Sequence, residues 1–171
     1  MAGKMAMDPA LPKSSFAPVV DRHTRLLICG SLPGDASLRA QRYYVHPQNQ
    51  FWRLLETILD EPLAALGYEE RLALLRRRQV GLWDVVASAR REGSLDQALR
   101  DVAATPLVEL ASELTELRGI GFNGATAAKI GRRMLQSTGL TLIDLPSSSP
   151  AYTLAFAAKA ARWAELRPLL G

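Results

Sequence analysis

An α/β fold, with a parallel sheet covered by helices on both faces, is what this amino-acid sequence predicts. Two observations carry the prediction. Four short apolar runs, Arg25–Cys29, Val80–Val86, Leu117–Phe122 and Leu140–Leu145, read as strands, and three of them have the continuous character of strands buried on both faces. Segments with helical spacing of apolar residues lie between them, and strand–helix alternation of this kind builds parallel sheets.

Each element has its own warrant. Residues 1–13 hold Pro9, Pro12, several Met and Lys and no periodic apolar pattern, so they read as a disordered arm before one domain over residues 14–171. Gln50–Leu59 repeats Phe51, Leu54, Leu55 and Ile58 at helical spacing. Glu69–Arg78 sets Leu72 and Leu75 against an arginine-rich face. Ser94–Asp101 and Pro106–Leu114 read as short helices, the second with Pro106 in its first turn. Ala125–Ser137 follows Asn123-Gly124, and an Ala-rich helix over Thr153–Leu166 stops before Pro168.

Composition bounds the function classes. A chain of 171 residues, 48% hydrophobic and 22% charged, suits one globular domain with a single core. No apolar run is long enough to cross a bilayer and no signal-peptide core opens the chain, so a soluble protein, cytoplasmic or otherwise intracellular, is expected. Cys29, the only cysteine, lies in an apolar run where a reduced core thiol fits. With only two His beside it, the usual all-protein zinc site and a cysteine-ligated iron–sulfur cluster are excluded. A net charge of +4 permits a polyanionic partner without demanding one, and the Arg76–Arg78, Arg90-Arg91 and Arg132-Arg133 clusters read first as solvated faces.

In a parallel sheet the ligand site lies beyond the carboxyl ends of the strands. That rule points to three segments. The first strand ends in Gly30-Ser31-Leu32-Pro33-Gly34, a tight loop whose backbone can approach a ligand, followed by Tyr43-Tyr44-Val45-His46-Pro47-Gln48-Asn49-Gln50-Phe51-Trp52. The third ends in Phe122-Asn123-Gly124, and the fourth in Leu145-Pro146-Ser147-Ser148-Ser149-Pro150. A Gly-x-x-Pro-Gly loop, then His-Pro-x-Asn-x-Phe-Trp, then a late x-Pro-Ser loop resembles the uracil-DNA glycosylase superfamily. The spacing from Gly30 to His46 is similar to that of the mismatch-specific uracil-DNA glycosylases. Closer still is the hypoxanthine-DNA glycosylase branch, family six. It is similar in its Gly-Ser-Leu-Pro-Gly loop, its Tyr-Tyr pair, Gly81-Leu82-Trp83-Asp84-Val85, Gly93-Ser94-Leu95-Asp96, Phe122-Asn123-Gly124 and Leu-Pro-Ser-x-Ser-Pro. The resemblance spans about residues 16 to 166.

That resemblance implies a three-layer αβα sandwich around a four-stranded parallel sheet. It implies a monofunctional, monomeric glycosylase that hydrolyses the N-glycosidic bond of a flipped deaminated base, hypoxanthine first and uracil or xanthine next, in double-stranded or single-stranded DNA. The resemblance also implies no metal or cofactor, no covalent enzyme intermediate and no strand cleavage. Such an enzyme must clamp the base, stabilise its departing charge and present a water. Tyr44 sits where family members carry the aromatic that stacks on the base. The base-binding set expected with it is Gly30, Leu32, Pro33, Gly34, Phe51 and Asn123, whose amide can read a base edge or cap the following turn. Many family members place Asn or Asp at Leu32 to hold the water; here Asn49 is the expected substitute, its oxygen aiming a water, although Asn in front of a helix is also a favoured cap. Ser31 is the second catalytic candidate, as a hydrogen-bond partner to base or water, and a small turn residue is its plainer account. Pro146, Ser147, Ser148, Ser149 and Pro150 are expected to contact phosphates from a rigid loop. Leu145 stands where many relatives carry a polar residue that stabilises the leaving anion. A purine, whose imidazole ring can be protonated, demands less help, which favours hypoxanthine. His46 is expected to shape the turn into the Asn49 helix, and His23 to lie at the surface.

Three rivals stay open at this point. A serine hydrolase would need a Gly-x-Ser-x-Gly elbow around Ser31, which is missing. A nucleotide-binding module would need a P-loop or Gly-x-Gly-x-x-Gly, also missing. An inactive DNA-binding relative is suggested by Leu32 and Leu145 together.

Overall fold

The computed structural model describes residues 11–171. Its centre is a sheet of four parallel strands, β2 (Leu26–Gly30), β3 (Val80–Asp84), β6 (Gly119–Asn123) and β7 (Thr141–Leu145), in the order β3-β2-β6-β7. The register runs Leu26 opposite Val80 and Gly119, and Gly119 opposite Thr141, so all four carboxyl ends finish at one rim. Every residue of β2, β3 and β6 is buried, as the continuous apolar runs require.

The strand pleat sorts the core into two halves. Leu26 and Ile28 of β2 face one side, packed with residues of α2 (Phe51–Leu59), α3 (Tyr68–Arg77) and α6 (Phe156–Trp163). Leu27 and Cys29 face the other, against α4 (Leu107–Glu113) and α5 (Ala125–Leu135). The three-layer αβα sandwich is therefore the observed fold, and Cys29 is a free, fully buried thiol held well above its usual pKa by burial.

The structure corrects the reading of the middle of the chain. Val80–Val86 is not one strand: β3 ends at Asp84, and β4 (Val86–Arg90) turns into a second, antiparallel sheet, where it lies between β1 (Lys13–Ser14) and β5 (Arg100–Ala104). Val85 and Val86 donate their N–H groups to the carbonyls of Gly30 and Ser31, which makes the corner between the sheets. Ser94–Asp101 is not a helix. Asp96–Ala98 forms one 3-10 turn, and Arg100–Ala104 is β5, paired with β4. Its Ala and Arg content favours helix, but pairing with β4 overrides a local preference worth only tenths of a kcal/mol, on the order of 0.5 per residue. A short helix, α1 (Asp35–Ala40), also follows the first loop, where none was read.

Of the expected N-terminal arm, residues 1–10 lie outside the described residues, and Lys13 belongs to β1 (Lys13–Ser14). It is buried and donates to Asp35 at 2.8 Å and to the Gly93 carbonyl at 2.8 Å, so it fastens β1 beside the first loop. Among the described residues no helix is long and apolar enough to cross a membrane.

Candidate active site

The carboxyl ends of β2, β3 and β6 open onto a cavity of about 550 Å³. Its wall includes Gly30–Gly34, Tyr44, Asn49, Asp84, Asn123 and the Ser147–Pro150 loop. Segments far apart in sequence thus converge where the strand-end rule placed them.

Tyr44 owes its pose to the His-Pro-x-Asn-x-Phe-Trp run. The Phe51 ring stacks on it with centroids 3.8 Å apart and planes 12° from parallel. Trp52 Nε1 donates to the Tyr44 carbonyl at 3.1 Å. Tyr44 itself sits at φ 53°, a left-handed conformation that costs a non-glycine residue about 1 kcal/mol and persists only where its surroundings enforce it. Burial pushes its hydroxyl far above the ordinary phenol range, with Asp84 adding to the shift, so it stays neutral. Phe51 was expected to touch the base, but it is fully buried behind Tyr44 and outside the cavity wall. Its part is to back the tyrosine ring.

Asn49 lies half-buried in the wall. Its Oδ1 accepts the N–H of Phe51 at 3.0 Å, an Asx turn that opens α2. The side chain therefore fastens the entry to α2 one residue ahead of the N-cap, which is Gln50, and the oxygen's second lone pair remains for a further donor. Beside it, Gln48 donates its N–H to His46 Nδ1 at 3.1 Å, so His46 shapes this turn as the sequence suggested.

The first loop is held from behind. Buried Arg91 donates to the carbonyls of Pro33 at 2.6 Å and Gly93 at 2.9 Å, and Ser94 Oγ accepts the Asp35 N–H at 3.0 Å. Those contacts explain why Gly93-Ser94 accompanies the loop. Ser31 donates its hydroxyl to Asp96 at 2.5 Å, which leaves its oxygen as an acceptor toward the cavity. An imidazole partner for a serine nucleophile is not what it meets. Leu32 reaches the wall, but its side chain is buried in the core half that holds Trp83 and Val86. Leu145 is likewise core, on the opposite half.

Asn123 ties two strand ends together. Its Nδ2 donates to Ser148 Oγ at 2.9 Å and to Tyr44 Oη at 3.4 Å, while its Oδ1 accepts the Ser148 N–H at 2.9 Å. Gly124 follows at φ 101°, which a side chain would strain, and gives its N–H to the Leu145 carbonyl. Asn123 therefore clamps a turn, the second of the two roles expected of it.

The serine loop needs a correction. Ser148 is 1% exposed, its hydroxyl is taken by Asn123 and its carbonyl by Gln50 N–H, so it supports the loop instead of meeting a phosphate. Ser147 and Ser149 are half-buried and Pro150 is exposed. Lys159 and Trp163 Nε1 reach from α6 to the carbonyls of Ser149 and Pro146, which makes the loop rigid. Burial lowers the pKa of the Lys159 ammonium.

Three polar residues around the site carried no individual role in the sequence reading: Asp84, Asp96 and Arg91. Asp84 is the most informative. It closes a strand of five buried residues, is itself 3% exposed, and accepts Ser15 Oγ at 2.7 Å. Burial raises its carboxyl to about 7; the Ser15 bond opposes the rise, Asp96 adds to it and Arg91 opposes it. The signal was present: a lone acid ending an apolar strand at the ligand rim.

The comparisons with known proteins agree with this geometry. A model of the uracil DNA glycosylase superfamily matches residues 17–167. A Methanosarcina barkeri protein named hypoxanthine DNA glycosylase is 38% identical over 155 residues, covering 91% of this chain and 98% of that protein. One of the same name from Methanosarcina acetivorans is 40% identical over 139 residues, 81% of this chain and 87% of the relative. The solution NMR structure of a candidate uracil DNA glycosylase from Methanosarcina acetivorans superposes with a TM-score of 0.84 at 37% identity, over 93% of this chain and 99% of that one.

Proposed function

The chain belongs to the uracil DNA glycosylase superfamily and is a DNA glycosylase, and from that premise we propose that it excises hypoxanthine from DNA as the opening step of base excision repair. The observation that carries this reading is the meeting of a posed aromatic face, an amide oxygen and a glycine-bounded backbone loop at one cavity. Two relatives named for hypoxanthine support the choice of base.

The chemistry follows from the parts. A flipped purine lies on the Tyr44 ring, which Phe51 holds parallel from behind. The Asn49 oxygen accepts a water and aims it at C1′. As the glycosidic bond breaks, its electron pair passes to the base, the sugar becomes cation-like, and the water forms the new C1′–O bond. Backbone N–H groups of the Gly30–Gly34 loop and the dry walls around it stabilise the departing charge. The rim carries two large apolar side chains, Leu95 and Tyr152, 48% and 49% exposed. Such groups are suited to the gap that a flipped base leaves in the stack.

Tyr44 gives a sharp prediction. Tyr44→Ala removes a stacking face worth about 1–3 kcal/mol, so base release should fall by roughly 5- to 150-fold. Tyr44→Phe keeps the ring and loses only the long bond from Asn123, so it should stay within about fivefold of wild type. Single-turnover rates decide; equal losses would remove the stacking role.

The reading itself is tested with end-labelled duplexes carrying one inosine, uracil or xanthine, treated with hot alkali to break abasic sites. Inosine should be cleaved fastest. Uracil cleaved fastest would move the specificity, and no cleavage from folded protein would refute excision.

A further inference from the structure

We propose that Lys159 is the buried counter-charge for one phosphate of the damaged strand, an ammonium whose anion arrives only with the DNA. The inference rests on the excision reading above, in which the strand carrying the flipped base crosses the Ser147–Pro150 loop.

Among the described residues three cationic side chains are buried, Lys13, Arg91 and Lys159, and the third differs from the other two. Lys13 pairs with Asp35 at 2.8 Å. Burial lowers the basicity of Arg91, but Asp96, Asp35 and Asp84 oppose the fall. Burial lowers that of Lys159 too, and no carboxylate opposes it. No acidic side chain among the described residues forms an ion pair with it. Its Nζ donates to one acceptor, the Ser149 carbonyl at 3.2 Å, and lies 5.4 Å from the centroid of the Tyr152 ring. A residue 1% exposed thus carries a charge with no anion beside it.

Withdrawing an ammonium from water is costly to the fold unless an anion compensates it. The Ser149 carbonyl does not depend on Lys159, because the same oxygen accepts the Tyr152 N–H at 3.1 Å. The missing charge is therefore one that a ligand has to bring.

The place of the ammonium identifies that ligand. Ser149 and Tyr152, the two residues against it, both belong to the cavity wall. Ser149 Oγ accepts the Ala151 N–H at 3.2 Å, which leaves the hydroxyl proton to donate. A phosphate oxygen on that hydroxyl comes into the field of the charge held beneath the same residue. Tyr152 is 49% exposed, so the ring over Nζ has a side open to solvent. When that ring enters the gap left by the flipped base, Nζ is uncovered toward the backbone that carried the base.

The test is a double-mutant cycle between the side chain and single phosphates. Duplexes carry 2′-fluoro-2′-deoxyinosine, whose fluorine opposes the cation-like sugar and blocks release. A neutral methylphosphonate replaces each linkage beside the lesion in turn. Anisotropy then gives the affinities of wild type, Lys159→Met and Lys159→Arg. Wild type should lose about tenfold when one particular linkage is neutralised, the loss of a charged hydrogen bond. Lys159→Met should bind the unmodified duplex about tenfold more weakly, with a salt slope smaller by about 1, and lose nothing further at that linkage. Lys159→Arg should keep the wild-type sensitivity there. Thermal melting without DNA supplies a readout that a structural role would move the other way. Lys159→Met should melt at or above wild type, because it removes an uncompensated charge and keeps an apolar stem. Excess inorganic phosphate should leave both melting temperatures unchanged; a rise in wild type alone would make this a free-anion site and overturn the assignment to DNA. Losses that multiply at every linkage, or a Met variant that melts well below wild type with an unchanged salt slope, would also overturn it and leave Lys159 a support for the loop. The coupling found without base release from any natural lesion would instead overturn excision and leave the Lys159 contact standing.

Discussion

Asn49→Ala is expected to slow base release by about 100-fold or more, the loss typical of a group that positions or activates the reacting water. The same change deletes the acceptor for Phe51 N–H, so it also costs about 1 kcal/mol of folding stability. That corresponds to a fall of roughly 3 °C in melting temperature for a domain of this size. Most molecules would remain folded at assay temperature, and the rate loss would report chemistry. Asn49→Asp separates the two roles. It keeps an oxygen for the Phe51 N–H and places a negative charge favourably at the start of α2. It should therefore melt near wild type, and its oxygen should restore at least about tenfold of the activity that Ala loses. If the Ala variant turns over like wild type while its stability drops, Asn49 only fastens the helix entry.

Asn123→Ala is expected to cause the largest loss of stability among the site variants. It strands the buried Ser148 N–H and removes the partner of Ser148 Oγ, each worth about 1–3 kcal/mol when left unpaired. The disturbance spreads, because the Ser148 carbonyl accepts Gln50 N–H next to Asn49. Urea unfolding should show a loss of about 2–5 kcal/mol with an unchanged slope, together with impaired base release. Asn123→Asp offers acceptors to both Ser148 groups and should recover most of the stability. An Ala variant with a wild-type midpoint would show that the clamp contributes nothing, and Asn123 would then be read through the base alone.

The sheet was legible because burial on both faces writes itself as unbroken apolar runs, as in Leu26–Cys29. The site was legible at the strand ends, where Gly30–Gly34, Asn123 and the serine loop all line the cavity. Two kinds of feature escaped. Arg100–Ala104 is entirely exposed and gains its strand state from pairing with β4, so its own residues carry no strand signal. Roles within the site also escaped, because sequence gives a residue's address and not its orientation. Ser148 and Phe51 stand at expected positions yet face inward, one clamped by Asn123 and the other stacked behind Tyr44. Asp84 lay inside a stretch noted for its resemblance, but its hydrogen bond comes from Ser15, which only the fold brings beside it.

The central claim is that this cavity cuts one glycosidic bond and nothing else. The most direct measurement is mass spectrometry of an inosine-containing duplex before and after incubation with the protein. The account predicts free hypoxanthine in equal amount to an intact strand bearing one abasic aldehyde. A strand broken at the lesion without alkali, or a duplex that is bound but returned with its base in place, would contradict it.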